Sequence, residues 1–457
     1  MSIKVFLAIL LGKAVKLFSK LVHKGGTAMP GRFALKICPN LLEILGRQVK
    51  CICVTGTNGK TTTCRIIEEE MRLAGLNYFA NKSGANLQIG IVTDFIVNCS
   101  LGGKMRKDCA VLECDEAAAV RIFKELQPEI IVLTNLFDDQ VDRYGGVLGT
   151  LDYIKKAVAG TPSSVLCLNG DCPLCSSVAL NVPNKVLFFG IEQTASDCND
   201  KAAPDSVYSC PVCGAKLVYD YLVFDSLGGF RCPECGWGRG EINVAAEKIT
   251  DSSSGHTGLI CRINGNSYEM RVNLPAMYNV YNALAAAAAG MAWGISIDVC
   301  LEAAAGFKCG FGRMEKLNLG KKGASMTLVK NTAGCNQVIR YLQTVEDRFV
   351  LSLCINNRVS DGKDISWLQT ADFEALAEMG DKISKIYVSG ERMEELYARL
   401  VSAGIDESRM EKAPDYNKLL SELEDSNDPV YIVPNYTAMM DFRPVIVSKC
   451  GGAEFWE

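Results

Sequence analysis

From residue 50 onward, short apolar runs alternate with stretches whose apolar positions recur at helical spacing. Cys51–Val54, Cys109–Glu113, Ile130–Thr134 and Val165–Leu168 read as strands, and Cys51–Val54 as a buried one. Helical patterns follow or separate them at Thr62–Leu73, Ala117–Glu125 and Tyr153–Ala159. That alternation predicts a mainly parallel α/β sheet whose first strand runs into a glycine-containing turn. The pattern breaks between Ser206 and Gly240, then resumes with an alanine-rich helix at Ala283–Ala292, read as a closely packed element. Beyond Gly310-Phe-Gly-Arg-Met-Glu315, read as a hinge, a second α/β unit is expected. Its strands are Ser325–Val329, Phe349–Ile355, Lys385–Val388 and Val430–Val433. The segment Ile3–Leu21 is apolar but interrupted by Lys13, and too short an apolar run to span a bilayer. It predicts either a helix packed on the body or an amphipathic helix at a membrane face. The expected divisions are therefore 1–45, a helical lead-in; 46–309, a central domain with an insertion near 206–240; and 310–457, a C-terminal domain.

Composition narrows this only in part. At 457 residues, 48% hydrophobic and 22% charged, the chain suits two or three soluble globular domains. A net charge of −4 argues against broad nucleic-acid binding, which needs a basic face. Twenty-one cysteines, many with apolar neighbours, fit packed reduced thiols and a cytoplasmic setting. The two histidines, His23 and His256, leave little from which to build a Cys-His or Ser-His catalytic apparatus.

Two motifs carry chemistry. In Val54-Thr-Gly56-Thr57-Asn58-Gly59-Lys60-Thr61-Thr62-Thr63, the glycines let backbone N–H groups approach an anion that the helix N-terminus then stabilises. Lys60 can reach terminal phosphates and the Thr61 hydroxyl can ligate Mg²⁺, so the run reads as an ATP site. A carboxylate at the end of the strand Cys109–Glu113 could meet that Mg²⁺; Glu113, Asp115 and Glu116 are the candidates. The second motif is Cys210-Pro-Val-Cys213 and Cys232-Pro-Glu-Cys235, separated by 18 residues, with Gly214 and Gly236 following each pair. Four thiolates at this spacing close a tetrahedral Zn²⁺ shell with no open position, so a structural zinc ribbon is expected. Cys172-Pro-Leu-Cys175 is read as a structural pair.

TGTNGKTTT resembles the phosphate loop of Mur ligases and folylpolyglutamate synthetases, tighter than the general P-loop because Val54 stands where its first glycine would. Thr134-Asn135 through Gly145 is similar to a Mur ligase stretch, with Asn135, Asp139 and Asp142 kept and the usual histidines replaced by Gln140 and Tyr144. Asn279 and Asn282 match the segment that this family places at the nucleotide base, and Arg313 and Glu315 match its hinge. Leu328-Val-Lys-Asn-Thr-Ala-Gly334, Asn356-Asn357, Asp361-Gly-Lys-Asp364-Ile-Ser-Trp367 and Tyr436-Thr-Ala-Met439 resemble the MurT family, the ligase-like subunits of lipid II isoglutaminyl synthase.

The resemblance implies a Mur ligase-type P-loop domain with an inserted zinc ribbon, followed by a Rossmann-like α/β domain. It implies ATP-dependent amidation of the D-glutamate α-carboxylate in the lipid II stem peptide, through an acyl phosphate. A glutamate at the position of Glu113 binds metal in that family. Ammonia would come from a separate GatD-like glutaminase docked as a heterodimer on the C-terminal domain, whose Cys-His pair Asp364 or Asp361 would complete. The membrane-anchored substrate implies a peripheral site at the inner membrane face. Two other readings stay open: an ordinary ligase joining an amino acid to a UDP-precursor, and a non-catalytic ligase-like scaffold.

Overall fold

The structure, a computed structural model, describes residues 2–21, 28–81, 85–137, 145–195, 208–252, 255–308, 312–362 and 365–451. The chain parts into two compact units, residues 1–136 with 148–307 and residues 137–147 with 308–457.

Parallel pairing organises the first unit. Its strands are β1 (Lys50–Thr55), β2 (Tyr78–Ala80), β3 (Cys109–Glu113), β4 (Ile130–Leu133), β5 (Val165–Asn169), β6 (Val186–Ile191), β7 (Val218–Phe224), β8 (Leu227–Arg231), β9 (Val244–Ser252), β10 (Thr257–Ile263) and β11 (Asn266–Val272). Among the described residues, nine of them form one sheet in the order β11-β10-β9-β6-β5-β4-β1-β3-β2. Pairing is parallel from β2 across to β9 and antiparallel through β10 and β11. The all-apolar reading of the central strands is explained by burial on both faces: every residue of β3 and β4 is buried, and all of β1 but Lys50. β7 and β8 stand apart as a two-stranded hairpin inside the inserted segment.

Helices cover this sheet. α1 (Ile3–Leu21) packs on α2 (Met29–Ile37) and on α4 (Gln88–Asn98), while α3 (Lys60–Leu73) and α5 (Glu116–Leu126) follow β1 and β3. The alanine-rich helix is longer than its alanine run, α6 (Met277–Trp293), and packs against α3 and α7 (Ile297–Gly306). Residues 279–290 of α6 are all buried, and small side chains permit that close approach. At Gly290 even a Cβ would lie 2.6 Å from Glu70 Oε2 and 2.7 Å from Cys300 Sγ. Glu70 itself is fully buried, and neither carboxyl oxygen has a hydrogen-bond partner among the described residues. Burial pushes its pKa well above the ordinary 4.5.

The second unit holds β12 (Arg313–Leu317), β13 (Ala324–Thr327), β14 (Phe349–Cys354), β15 (Ile383–Ser389), β16 (Met410–Lys412) and β17 (Val430–Pro434), ordered β12-β13-β17-β14-β15-β16. Among the described residues only the β12–β13 pair is antiparallel. β13 ends at Thr327, short of the Val329 expected from the apolar run. Leu328 and Val329 continue the chain with backbone bonds to Gly312 and Pro434. A core of Met326, Val350, Ile432, Phe442 and Ile446 joins this sheet to α9 (Tyr436–Cys450), with α8 (Thr332–Thr344) following β13. The expected hinge glutamate, Glu315, lies on β12 and accepts from Arg443 at 2.7 Å in a buried pair.

Candidate active site and metal centre

Strand register brings the site together. Because β1 runs parallel to β3 with Val54 opposite Glu113, the end of β3 reaches the start of the phosphate loop. The β1–β4 register sets Thr55 opposite Leu133, which carries Thr134 and Asn135 past Gly56. A Cβ at Gly56 (φ +122°) would meet Thr134 Oγ1 at 2.4 Å, and one at Gly59 (φ +87°) would meet Asn282 Oδ1 at 2.1 Å. Both positions need glycine for conformation and for space.

The loop is held from behind. Asn135 Oδ1 accepts from the Asn58 N–H at 2.9 Å, its Nδ2 donates to Asn58 O at 3.1 Å, and its carbonyl accepts from Thr57 N at 2.9 Å. Thr134 Oγ1 donates to Asn58 O at 2.7 Å. Asn135 therefore shapes the cradle. α3 starts at Lys60 with Gly59 as N-cap and no side-chain cap among the described residues, the arrangement that accepts a phosphate.

At the mouth of the loop, the Thr61 hydroxyl donates to Glu113 Oε2 at 2.7 Å. Two hard oxygen donors thus converge, as a Mg²⁺ brought by a nucleotide requires. Asn86 and Asn81 orient Glu113, through Oε1 at 3.4 Å and the backbone N–H at 2.8 Å. Of the alternative carboxylates, Asp115 caps α5, accepting from the Ala117 and Ala118 N–H groups. Glu116 forms a partly buried pair with Lys60 Nζ at 2.8 Å, and Lys60 also donates to the Gly56 carbonyl. Lys60 is thereby folded over the loop. Thr62 is buried in the first turn of α3.

From α6, Asn282 and Asn279 share one face three residues apart. Asn282 Nδ2 donates to Asn279 Oδ1 at 3.2 Å, and its Oδ1 accepts from Thr63 at 3.5 Å. Asn279 Nδ2 donates to Pro275 O at 2.6 Å. Asn282 closes the wall of the loop at Gly59, and Asn279 holds it from behind. Asp139, Gln140, Asp142 and Tyr144 lie outside the described residues. Arg313 is half-buried at the start of β12, in the second unit.

The four ribbon cysteines converge, their sulfurs all within 4.8 Å of one another. Cys210 Sγ lies 3.5 Å from Cys235 Sγ, and Cys213 Sγ 3.4 Å from Cys232 Sγ. Zn–S bonds of about 2.3 Å imply tetrahedral edges of about 3.8 Å, so the donor set fits Zn²⁺. Gly214 (φ +78°) and Gly236 (φ +77°) close each turn with N–H bonds to the Cys210 and Cys232 carbonyls. The backbone N–H groups of Cys235 and Glu234 bring the Cys232 thiol down to about 7. The ribbon's own core is small: Cys210, Leu217, Phe230 and Cys232, with Trp237 against Phe230.

Sequence reasoning missed the joint that ties the ribbon to the sheet. Arg239 Nε donates to the fully buried Asp171 Oδ1 at 2.6 Å, and Tyr281 Oη donates to Asp171 Oδ2 at 2.7 Å. The Ile191 N–H reaches Asp171 Oδ2 at 2.7 Å. Phe224 of the ribbon hairpin packs edge-on to the Tyr281 ring. Burial pushes the Asp171 carboxyl up while these partners pull it back. The available signal was Tyr281 itself, standing between Asn279 and Asn282. Cys172 and Cys175 lie buried just beyond Asp171.

In the second unit, Asp361 sits among loops beyond the ends of β14 and β17. Its Oδ1 accepts from Thr437 N at 2.8 Å, and Oδ2 from Thr437 Oγ1 at 2.5 Å and Arg358 N at 3.1 Å. Asn356, Asn435 and Asp441 extend this network, and Asn331 caps α8. Asp364 lies outside the described residues.

The sheet topology and loop define a protein of the Mur ligase class. A model of the Mur ligase middle domain matches residues 54–210. MurF from Acinetobacter baumannii superimposes with a TM-score of 0.66 at 14% identity, over 92% of this chain and 81% of its own. A pseudomurein peptide ligase type C from Methanothermus fervidus gives 0.63 at 22%, over 88% and 79%. Within that class, a model described as MurT ligase C-terminal matches residues 328–439. The lipid II isoglutaminyl synthase (glutamine-hydrolyzing) subunit MurT of Streptococcus pneumoniae (strain ATCC BAA-255 / R6) is 31% identical over 450 residues, 98% of each chain. Its namesake in Staphylococcus aureus (strain COL) is 31% identical over 433 residues, 94% of this chain and 95% of that one. The chain belongs to the MurT family.

Proposed function

We propose that this chain is the synthetase subunit of a lipid II isoglutaminyl synthase, an ATP-dependent carbon–nitrogen ligase. The observation that carries this reading is near-full-length similarity to subunits of that name, together with an intact Lys60-Thr61-Glu113 constellation. The substrate carboxylate attacks the γ-phosphorus of ATP; a carboxyl O–P bond forms and the bond to ADP breaks, giving an acyl phosphate. Ammonia then adds to the acyl carbon, the C–O bond to phosphate breaks, and one ammonia proton leaves to solvent or phosphate. Lys60 and the first N–H groups of α3 stabilise charge spreading over the transferred oxygens. Thr61 and Glu113 would hold Mg²⁺, which screens the phosphate charge when bound. By family resemblance the carboxylate is the α-carboxylate of stem-peptide D-glutamate, and the reaction sits at the cytoplasmic membrane face.

Glutamine hydrolysis needs an activated nucleophile and base, so a separate GatD-like glutaminase supplies the ammonia. The described histidine, His256, lies in the connection between β9 and β10 and pairs with Asp251 at 2.5 Å. Since Asp361 commits both carboxyl oxygens to Thr437 and Arg358, Asp364 is the carboxylate we assign to the partner's Cys-His pair. The test is an amidation assay with the purified chain, lipid II, Mg-ATP and ammonium chloride, read by mass spectrometry. An ATP-dependent amide that disappears in Lys60→Ala supports the reading. ATP turnover without amide, or no turnover even with a glutaminase present, overturns it.

A further inference from the structure

α1 has two apolar faces, and only one is used. Val5, Ala8 and Ile9 are buried, and Gly12 approaches so closely that a Cβ there would lie 2.8 Å from Ile96 Cδ1 of α4. On the opposite side Ile3 (78% exposed), Leu7 (46%), Leu17 (63%) and Phe18 (67%) stand in solvent, with Phe6, Leu10 and Leu11 also exposed. At about 100° per residue these seven positions fill an arc of about 140°, bordered by Lys4 on one side and Lys13 on the other. So continuous an apolar stripe on a helix already seated in a fold has a partner. The helix carries four lysines and no acidic residue. Lys13 donates to Cys99 O at 2.7 Å, which fixes one border of the stripe against the body.

We propose that α1 lies in the interface of an anionic lipid bilayer, its exposed arc buried among acyl chains and Lys4, at the open border of the stripe, at the headgroups. The charge decides the occupant: a second copy would set lysine rim against lysine rim, whereas an anionic lipid surface complements it. No described helix is long and apolar enough to cross a membrane, so the helix lies on the bilayer, with its inner face still packed on α2 and α4. The surface argument stands on α1 alone; its value for a lipid-linked substrate rests on the proposed function.

Flotation of the full chain with vesicles tests this. Vesicles of phosphatidylcholine with about one quarter phosphatidylglycerol should carry the protein upward, those of pure phosphatidylcholine far less, and salt should release it. Leu10→Glu/Phe18→Glu should cut flotation by about tenfold or more with an unchanged melting temperature, because both side chains are exposed. In detergent micelles, where substrate reaches the site without a bilayer, the same variant should amidate as well as wild type. Failure of amidation in both proteins would strike the proposed function and leave the lipid result standing. Absent flotation of wild type, equal flotation of the variant, or a wild-type dimer that the substitutions dissociate would each overturn the bilayer assignment.

Discussion

Replacing Glu70 with glutamine should stabilise the protein at neutral pH and do nothing in mild acid. Glu70, on α3, is buried against α6 and α7 with the Cys300 thiol beside it, and burial raises its pKa well above 4.5. The unfolded chain releases this proton near pH 4.5, while the folded protein retains it. A raised folded pKa means the stability contribution is complete below the unfolded value and is lost as pH climbs toward the folded one. Each pH unit through which the folded carboxyl keeps a proton that the unfolded chain has already lost costs about 1.4 kcal/mol. Glutamine has the same shape and a polar head in the same surroundings, but no proton to retain. For a unit of this size each such pH unit corresponds to roughly 3 °C in melting temperature. Paired thermal and urea melts of wild type and Glu70→Gln, from about pH 4.5 to about pH 8, would show two curves that coincide in acid and diverge steadily above it. A gap independent of pH, or a wild type more stable at the alkaline end, would refute the reasoning, since it would require an ionised Glu70 with a counter-charge.

Gly59→Ala should abolish detectable ATP binding by calorimetry, because the new methyl meets Asn282 Oδ1 at 2.1 Å in a left-handed backbone. Adding Asn282→Ala should recover part of the fold stability and none of the phosphate affinity. Removing Arg239 as Arg239→Ala leaves Asp171 buried without its cation, so unfolding should cost about 3 kcal/mol less, measured by urea titration at neutral pH. Metal analysis should find about one Zn²⁺ per chain in the native protein, and Cys213→Ser/Cys235→Ser should reduce this below about a tenth while changing Trp237 fluorescence.

Much of the site was legible because its parts are local. The strand-loop-helix of the phosphate cradle and the two cysteine knuckles are each written within ten residues or so, and each needs glycines or thiols that have few other uses. The run Cys109–Glu113 also announced its place, since a carboxylate ending a buried parallel strand emerges at the sheet edge where the phosphate loop begins. What stayed hidden depends on long-range register. Glu116 rather than Asp115 meets Lys60 because Asp115 is needed as the α5 cap, a choice settled by one turn of backbone geometry. Asn135 braces the loop because β4 happens to neighbour β1. Asp171, Arg239 and Tyr281 come from three distant stretches and carry no spacing signature, so the joint between ribbon and site could not be read in advance. Two faces on α1 were suggested by its pattern as rival readings, and the helix uses one for packing and exposes the other.

The wall that Asn282 lends to the phosphate loop has a bearing on how the protein is made. Thr63 and Asn282 are 219 residues apart in the chain. At roughly 5–20 residues per second, a ribosome needs about ten to forty seconds to travel from one to the other. Throughout that interval the nascent polypeptide owns a glycine loop and its helix but lacks the residue that completes the cradle. Prematurely terminated chains ending anywhere in between therefore cannot assemble the pocket, and they cannot sequester nucleotide. Completion of the site reports that the ribbon, the edge strands and the alanine-rich helix have all been synthesised and set in place.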